Sequence, residues 1–492
     1  MLDQLAAKWL DASRAGAANV PNFERLAGMG TNFTRCITSN PLCCPARATL
    51  ATGLSTRGHG VLQNGYYLDP SIRTFMQDLQ GAGYWTGALG KVHFQPHYSS
   101  LHPDYRPYGF NVQHITEDGR GGEWLNWIRS EHPSCIESVY QTIWAREIPE
   151  FSQYGPAKED LAAEMATVPT QGWVYELPFP EELSQTNWVT AHATNFIENA
   201  ETNKPLFAHI SYVQPHIPFA PPTGYRQYVN MKKIPTPVAR HWKDDPVGPS
   251  CFGRLANIDR LPFGWEEARE HYFADLVHLD RQLGEILNAL ERRGRLDNTY
   301  IVLLSDHGEM LMDHGMVSKG EMHYDACIRV PLMIAGPGLG RGQNRDEFVR
   351  LEDIYPTVLE MAGLEVPPPL AMRLQLDHEV LPGRSLLELC RGRTVDGWRD
   401  ASYVESYNNI DSNTPANWAR TVRTAMWRYT MYPGGNGEQL FDLIEDPNEE
   451  INRAGDEEYS GVRQEMRDRL LEEIILQDYP HSPRSRFAYD VH

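Results

Sequence analysis

Asp306 and His307 stand side by side in Ser305-Asp306-His307-Gly308-Glu309, directly after the apolar run at 299–304. An adjacent carboxylate and imidazole at a strand end supply half of a metal site. Asp3-Gln4, after Met1-Leu2, offers a second pair of donors. Gly90-Lys91-Val92-His93 closes the run at 84–89. Lys91 and His93 are two residues apart, so both side chains can turn the same way, toward an anion. His216 lies between two prolines in Gln214-Pro215-His216-Ile217-Pro218, and the stiff backbone there suits a positioned acid. Cys43 precedes Pro45, a residue at home in the first turn of a helix. That puts Cys43 at or just before a helix N-terminus, where free N–H groups and the dipole favour an anion. Taken singly, each has a plainer reading: an exposed turn for Asp306-His307, a solvated lysine for Lys91.

The elements that must hold these residues alternate along the chain. Residues 21–27 read as a helix with proline at its first turn, ended by Gly28 and Gly30, and 32–38 as a strand. Helices are expected at 71–81, 183–201, 265–293 and 351–362. Buried strands are expected at 84–89, 206–213, 299–304 and 330–335, the last two as central parallel strands. Residues 95–180, rich in Pro, Gly, Trp and Tyr, read as a long excursion over the site. The pattern implies an α/β fold with a doubly wound, mostly parallel sheet flanked by helices and its site at the carboxyl ends of the strands. Beyond about residue 375 the character changes. Short strands at 401–406, 420–424, 427–432 and 438–442, a turn at Gly434-Gly435-Asn436-Gly437 and a helix at 460–476 describe a smaller C-terminal α+β subdomain with an antiparallel sheet. The division is therefore 1–375 and 376–492.

At 492 residues with 41% apolar content, 12 Trp, 16 Phe and 23 Tyr, the chain can build large packed cores. A net charge of −20 argues against nucleic acid and anionic membranes as partners, and no apolar run reaches the roughly 18 residues of a span. Any anion site must then be a local cationic pocket in an acidic protein. Seven cysteines, at 36, 43, 44, 135, 251, 327 and 390, have no metal-binding spacing. Cys43 apart, they read as buried free thiols of a reducing compartment. The N-terminus shows no signal peptide.

The run Cys43-Cys44-Pro45-Ala46-Arg47-Ala48-Thr49-Leu50-Ala51-Thr52-Gly53 resembles the signature C-x-P-[SA]-R-x-x-x-x-T-G of the type I sulfatases, in the alkaline phosphatase superfamily. Residues 305–320 resemble that family's S-D-H-G-E-x-x-x-D-H-G-x-x-x-K-G. Gly90–His93 resembles G-K-x-H, 215–218 resembles P-H-x-P, and 440–447 resembles L-[YF]-D-L-x-x-D-P. The resemblance runs from Asp3 to about Asn452. Such chains open with a buried strand ending in Asp-Asp or Asp-Gln. Here only Met1-Leu2 precedes Asp3-Gln4, so the first strand looks missing or very short, which leaves a cytoplasmic or periplasmic location open.

The resemblance implies that Cys43 is oxidised to formylglycine by a formylglycine-generating enzyme. It implies one divalent cation on Asp3, Gln4, Asp306, His307 and residue 43, Ca²⁺ first with Mg²⁺ or Mn²⁺ as alternatives. Catalytic roles fall on Cys43, Arg47, Lys91, His93, His216 and Lys319. The implied reaction is hydrolysis of a small-molecule or carbohydrate sulfate ester. The hydrate at residue 43 would attack sulfur, and Arg47, Lys91 and Lys319 would steady the oxygens. His216, with Lys319, would aid the leaving alcohol, and His93 would take a proton from the second hydroxyl. Asp313 and His314 are expected to hold their turn, and Asn64 to be a turn residue. His59, His97, His271 and His323 read as structural or surface residues. Two other readings stand: a phosphonate monoester or phosphodiester hydrolase of the same superfamily, and an inactive sulfated-glycan-binding protein. Oligomeric state stays open.

Overall fold

A computed structural model describes residues 1–96, 99–143, 172–200, 203–252, 261–365, 382–407 and 418–477. The expected position His97 and the 375 boundary lie outside them, as does much of the 95–180 excursion.

Strands β1 (Gly30–Ile37), β5 (Ile301–Leu304), β6 (Arg329–Ala335), β7 (Gln343–Arg345) and β8 (Val349–Arg350) form one sheet, in the order β5-β6-β1-β7 with β8 also on β1. β2 (Trp85–Gly90), β3 (Val112–Ile115) and β4 (Leu206–Ser211) form another, β3-β2-β4, with both pairings parallel. Met1 and Leu2 join the two. The amino group of Met1 donates to Ile210 O (2.7 Å), Tyr212 N donates to Met1 O (3.1 Å), and Leu2 N donates to Leu304 O (2.9 Å). The first strand is thus a two-residue bridge between β4 and β5. It is enough to set Asp3-Gln4 at the carboxyl edge in the middle of the sheet. Beside it, residues 206–210, Ile301 and Val302 are only half-buried.

One expectation is corrected: β6 runs antiparallel to both β5 and β1. Its side chains alternate between two cores. Val330, Leu332 and Ile334 pack with Phe33, Leu50, Phe75 and Leu359, while Met333 and Ala335 pack with Trp9, Phe23 and Phe273 on the other face. Coverage on both faces accounts for its unbroken apolar run, whichever way the strand points. β3 is a second correction. It lies within the supposed excursion yet extends the parallel sheet.

The segment carrying Asp3-Gln4 is clamped from outside. Helix α1 (Ala7–Ala12) follows it, and Trp9 donates through Nε1 to Glu309 O (2.8 Å). Helix α2 (Pro21–Met29) has its first N–H groups bound by a carboxylate, because Asp280 Oδ1 accepts from Asn22 N and Phe23 N (both 2.8 Å). Asp280 belongs to the long helix Trp265–Arg292. From the same helix Tyr272 OH donates to Gln4 O (2.9 Å).

The C-terminal sheet, β9 (Ala401–Ser406), β10 (Ala419–Thr424), β11 (Trp427–Met431) and β12 (Glu438–Asp442), is antiparallel throughout. Helix Ser460–Gln477 covers one face through Met466 and Leu470. Val404 and Phe441 join a core with Met316, Met322 and Tyr324 of the site-bearing domain. Asp313 and His314 do hold their turn. Asp313 pairs with Lys8 (2.5 Å) and Arg269 (2.7 Å), and His314 stacks on Tyr324 at 3.8 Å. His59, His271 and His323 make structural hydrogen bonds, to Thr49, to Glu267 O and to Thr421 with Ser406. All seven cysteines are free thiols, and all but Cys135 are buried.

Candidate active site

Cys43 opens helix α3 (Cys43–Thr52), after an extended Leu42. The next N–H, on Cys44, is bound by Asn64 Oδ1 at 2.9 Å. Asn64 is therefore more than a turn residue: it satisfies a donor that the helix start leaves open. Asn64→Ala should lower unfolding free energy by about 1 kcal/mol, the usual cost of losing such a cap. A denaturant midpoint equal to wild type would remove this role.

Three side chains converge on the Cys43 thiol. His307 Nε2 lies 3.1 Å from Sγ, Lys319 Nζ donates to it at 3.2 Å, and Asp3 Oδ1 is 3.8 Å away. His307 Nδ1 faces Gly308 O at 3.0 Å. A carbonyl only accepts, so Nδ1 carries the proton and the Nε2 lone pair points at Sγ. One donor atom each from Asp3, Cys43, Asp306 and His307 lies within 4.8 Å of the others, and all four residues are buried. Gln4 is close by, with Oε1 accepting from Lys319 Nζ at 2.5 Å.

Arg47 does not open toward a ligand. Its Nε donates to Asp306 Oδ2 (2.8 Å), Nη2 to Asp3 Oδ2 (3.0 Å), and Nη1 to Lys91 O (3.0 Å) and Ser211 Oγ (3.1 Å). It spaces the two carboxylates. Lys91 Nζ is gripped by Asp118 (2.6 and 2.7 Å) and lies 2.5 Å from Asp3. Burial pushes the Asp3 carboxyl up, but Lys91, Arg47, His216 and Lys319 outweigh it and hold Asp3 well below the usual carboxylate range. Burial alone would lower Lys319, yet the charges at Cys43 and Asp3 raise it, so it stays protonated. Burial pulls the His307 imidazole down against the raising effect of Asp306, which favours the neutral, ligating form.

Three non-glycine residues here have left-handed backbones: Gln4 (φ 65°), His93 (φ 56°) and Ser318 (φ 72°). Each donates its N–H to a carboxylate, buried in the case of Asp306 and Glu309 and half-buried in that of Glu117. Gln4 N reaches Asp306 Oδ1 (3.1 Å), His93 N reaches Glu117 Oε1 (3.0 Å) and Ser318 N reaches Glu309 Oε1 (2.5 Å). Such conformations cost about 1 kcal/mol or more each and persist where surrounding bonds over-determine them. They aim Gln4, His93 and Lys319. His216 is buried, with Nδ1 donating to Ile217 O (2.7 Å), and it is near enough for its charge to act on Asp3.

Sequence reasoning missed Glu117, Asp118 and Glu309. Glu117 and Asp118 follow directly on β3, so they sit at a strand end like the other site residues. Recognising β3 as a strand was the signal that would have found them. Glu309 stood in the quoted motif; its carboxylate also receives the Gln4 amide and Leu311 N.

Side chains able to hold a cation and two buried lysines able to hold an anion thus meet at the carboxyl edge of an α/β sheet. The family model of the sulfatases matches residues 1–364, and that of the N-sulphoglucosamine sulphohydrolase C-terminal region matches 312–475. The chain belongs to the sulfatase family, within the alkaline phosphatase superfamily, and is an enzyme of that family. It is similar to an arylsulfatase of Clostridium perfringens (28% identical, 96% of this chain and 93% of that one) and to a choline-sulfatase of Rhizobium meliloti (28%, 92% and 81%). Among solved structures it resembles the phosphonate monoester hydrolase of Agrobacterium radiobacter (TM-score 0.76, 26% identical, 97% of this chain and 94% of that one). Among the described residues no helix is long and apolar enough to cross a membrane.

Proposed function

We propose that this enzyme releases inorganic sulfate from an alcohol, aryl or sugar sulfate, using Cys43 oxidised to formylglycine and one divalent cation. The observation that carries this reading is the convergence of His307 Nε2 and Lys319 Nζ on Cys43 Sγ, between the carboxylates of Asp3 and Asp306. Sγ marks the place that an oxygen of the modified side chain would take.

The donor set suits a hard cation. Two carboxylates, the Gln4 amide and one imidazole favour Ca²⁺, with Mg²⁺ and Mn²⁺ as alternatives. Bound there, the ion supplies Lewis-acid charge to the ester oxygens and acidifies a hydroxyl at residue 43. The chain's own residues do the rest. Arg47 holds the Asp3 and Asp306 carboxylates at fixed spacing. Lys91 and Lys319, both charged, offset negative charge on the equatorial oxygens. His216 delivers a proton to the departing alcohol oxygen, and His93 receives one from the second hydroxyl at residue 43. Lys91 and Lys319 put positive charge beside residue 43, and a divalent cation would add to it, which reconciles an anionic substrate with a net charge of −20.

The register predicts that Cys43, and not Cys44, is the residue a maturation enzyme oxidises. Cys44 is buried and its Sγ bonds Tyr66 O at 3.4 Å. Burial pushes its thiol pKa upward, which keeps it unreactive. After co-expression with a formylglycine-generating enzyme, peptide mass spectrometry should show an aldehyde at position 43 and an intact thiol at 44. Cys44→Ser should remain active. An aldehyde at 44, or full activity with an unmodified thiol at 43, would refute the assignment.

The likeness to a phosphonate monoester hydrolase supports a second reading, phosphonate or phosphate diester hydrolysis. The Gly90-Lys91-Val92-His93 pattern favours sulfate, being nearer the sulfatase motif. Turnover of nitrophenyl sulfate should exceed that of the corresponding phenylphosphonate ester. The reverse order in kcat/KM would make the second reading the right one.

A further inference from the structure

Away from the Cys43 site, three metal-ligating side chains meet on the flank of the parallel sheet. His114 is on β3, Glu123 begins the helix Glu123–Glu131, and His192 is on the helix Gln185–Asn199. One donor atom from each lies within 4.8 Å of the other two. His114 Nδ1 and Glu123 Oε1 are 2.6 Å apart, and the His114 and His192 rings stack at 3.9 Å with 22° between their planes. The buried Trp188 sets its ring edge-on to His192 at 4.3 Å, forming an apolar wall on one side. The three ligating residues themselves are only partly buried, so an ion can reach them from solvent.

We propose that His114, Glu123 and His192 form a second metal site, one that takes Zn²⁺ rather than the hard cation of the catalytic centre. Two imidazoles and one carboxylate, with water completing four positions, are a zinc donor set. Ca²⁺ needs six or more oxygens and finds one carboxylate here. Capture replaces the Nδ1–Oε1 hydrogen bond by two metal bonds, with the Nδ1 proton passing by way of solvent to Nε2 of the same ring, and fans the stacked rings apart, since two parallel imidazole planes cannot both contain one ion. The second oxygen of Glu123 accepts from Ile115 N at 3.2 Å, an outer contact that orients the carboxylate.

The position gives the ion a structural task. Residues 116–118 leave β3 immediately after this cluster, and they carry Glu117 and Asp118, which hold His93 N and Lys91 Nζ. Gln185, at the start of the helix that bears His192, donates to Thr116 Oγ1 (2.6 Å) and Glu117 O (3.1 Å). Zinc would bolt helix and strand together beside β2, where His114 pairs with Leu89, two residues before Lys91. The proposal does not depend on which ester the enzyme hydrolyses.

The test is calorimetric titration of the chelator-stripped, Ca²⁺-reloaded enzyme with Zn²⁺ in excess Ca²⁺. We expect one equivalent bound per chain, retained in Asp306→Asn and weakened about 100-fold or more in His192→Ala and in Glu123→Gln. Co²⁺ should give a visible d–d band in the wild type and in Asp306→Asn, but not in the two cluster variants. Zn²⁺ should raise the thermal midpoint of the wild type and leave that of Glu123→Gln unmoved. If His192→Ala does not fold, Glu123→Gln decides, because it keeps the size and the hydrogen bond to His114. Zinc binding that survives in Glu123→Gln, or that vanishes in Asp306→Asn alone, would overturn the site, as would a wild type that takes up none.

Discussion

Asp306→Asn should lose about 10³-fold or more in kcat, with bound divalent cation falling in parallel. Asp306 Oδ1 accepts from Gln4 N and His307 N, while Oδ2 accepts from Arg47 Nε. The residue therefore shapes the site and supplies one of the two carboxylates in the donor cluster around Cys43. A metal ion contributes several kcal/mol of transition-state stabilisation in such reactions, and about 4 kcal/mol corresponds to about 10³ in rate. Asn is the informative change. Asp306→Ala would also leave the buried Arg47 guanidinium half-unpaired, at a cost of about 3–5 kcal/mol in stability, so lost activity could reflect lost fold. Asn keeps the volume and an acceptor for the two N–H groups and removes the charge; its amide nitrogen cannot accept from Arg47 Nε, so the thermal midpoint must be read beside the rate. Metal content by mass spectrometry, kcat on nitrophenyl sulfate and the thermal midpoint should be measured on one preparation. Full turnover by metal-free Asp306→Asn, or by chelator-stripped wild type, would defeat the metal-assisted reading.

Much of this arrangement was legible because the residues that meet at the site end strands, and strand ends are conspicuous where an apolar run stops at a polar cluster. That logic located Asp3-Gln4, Lys91, His93, His216 and Asp306-His307, and the structure brings them to one edge. It located Lys319 only through a motif, since a loop residue has no periodicity to betray it. Arg47 was placed correctly but its surroundings were not foreseen. Four hydrogen bonds to protein acceptors make it a spacer of carboxylates, and no sequence pattern reports which way a guanidinium is used.

The misses have physical causes. The direction of β6 is invisible because an apolar run buried on both faces reads the same in either sense. β3 is short, and Val112, Gln113 and His114 are only half-buried, so the edge strand showed neither alternation nor a continuous apolar run. Losing β3 also hid Glu117 and Asp118. These carboxylates act through contacts with residues about 25 positions earlier in the chain, a pairing that exists only once β2 and β3 lie side by side. The segment ahead of Asp3-Gln4 pairs on both sides. Its two-residue bridge shows why the site can still form: Asp3 needs Met1 and Leu2 anchored between β4 and β5, and three backbone hydrogen bonds do that.

His216→Ala should separate substrates by their leaving groups. A general acid helps only where negative charge accumulates on the departing oxygen, and its contribution is about 10²–10⁴-fold. Nitrophenolate leaves readily without protonation, so nitrophenyl sulfate hydrolysis should fall no more than about tenfold. An alkyl or sugar sulfate departs as a far more basic alkoxide and should fall by about 10²–10⁴. The geometry suits a positioned group: Nδ1 donates to Ile217 O at 2.7 Å, which fixes the ring. His93→Ala should fail at the other half of the reaction. With no group to take the second hydroxyl's proton, the enzyme should release about one equivalent of alcohol in a burst and then stop short of sulfate. Lys319 complicates the first prediction, since Nζ lies 3.2 Å from Cys43 Sγ and could share the acid role. Lys319→Ala should therefore depress both ester classes, through lost charge stabilisation, while His216→Ala discriminates between them. Equal losses on both classes for His216→Ala, together with no burst for His93→Ala, would show the two proton-transfer roles to be wrongly assigned.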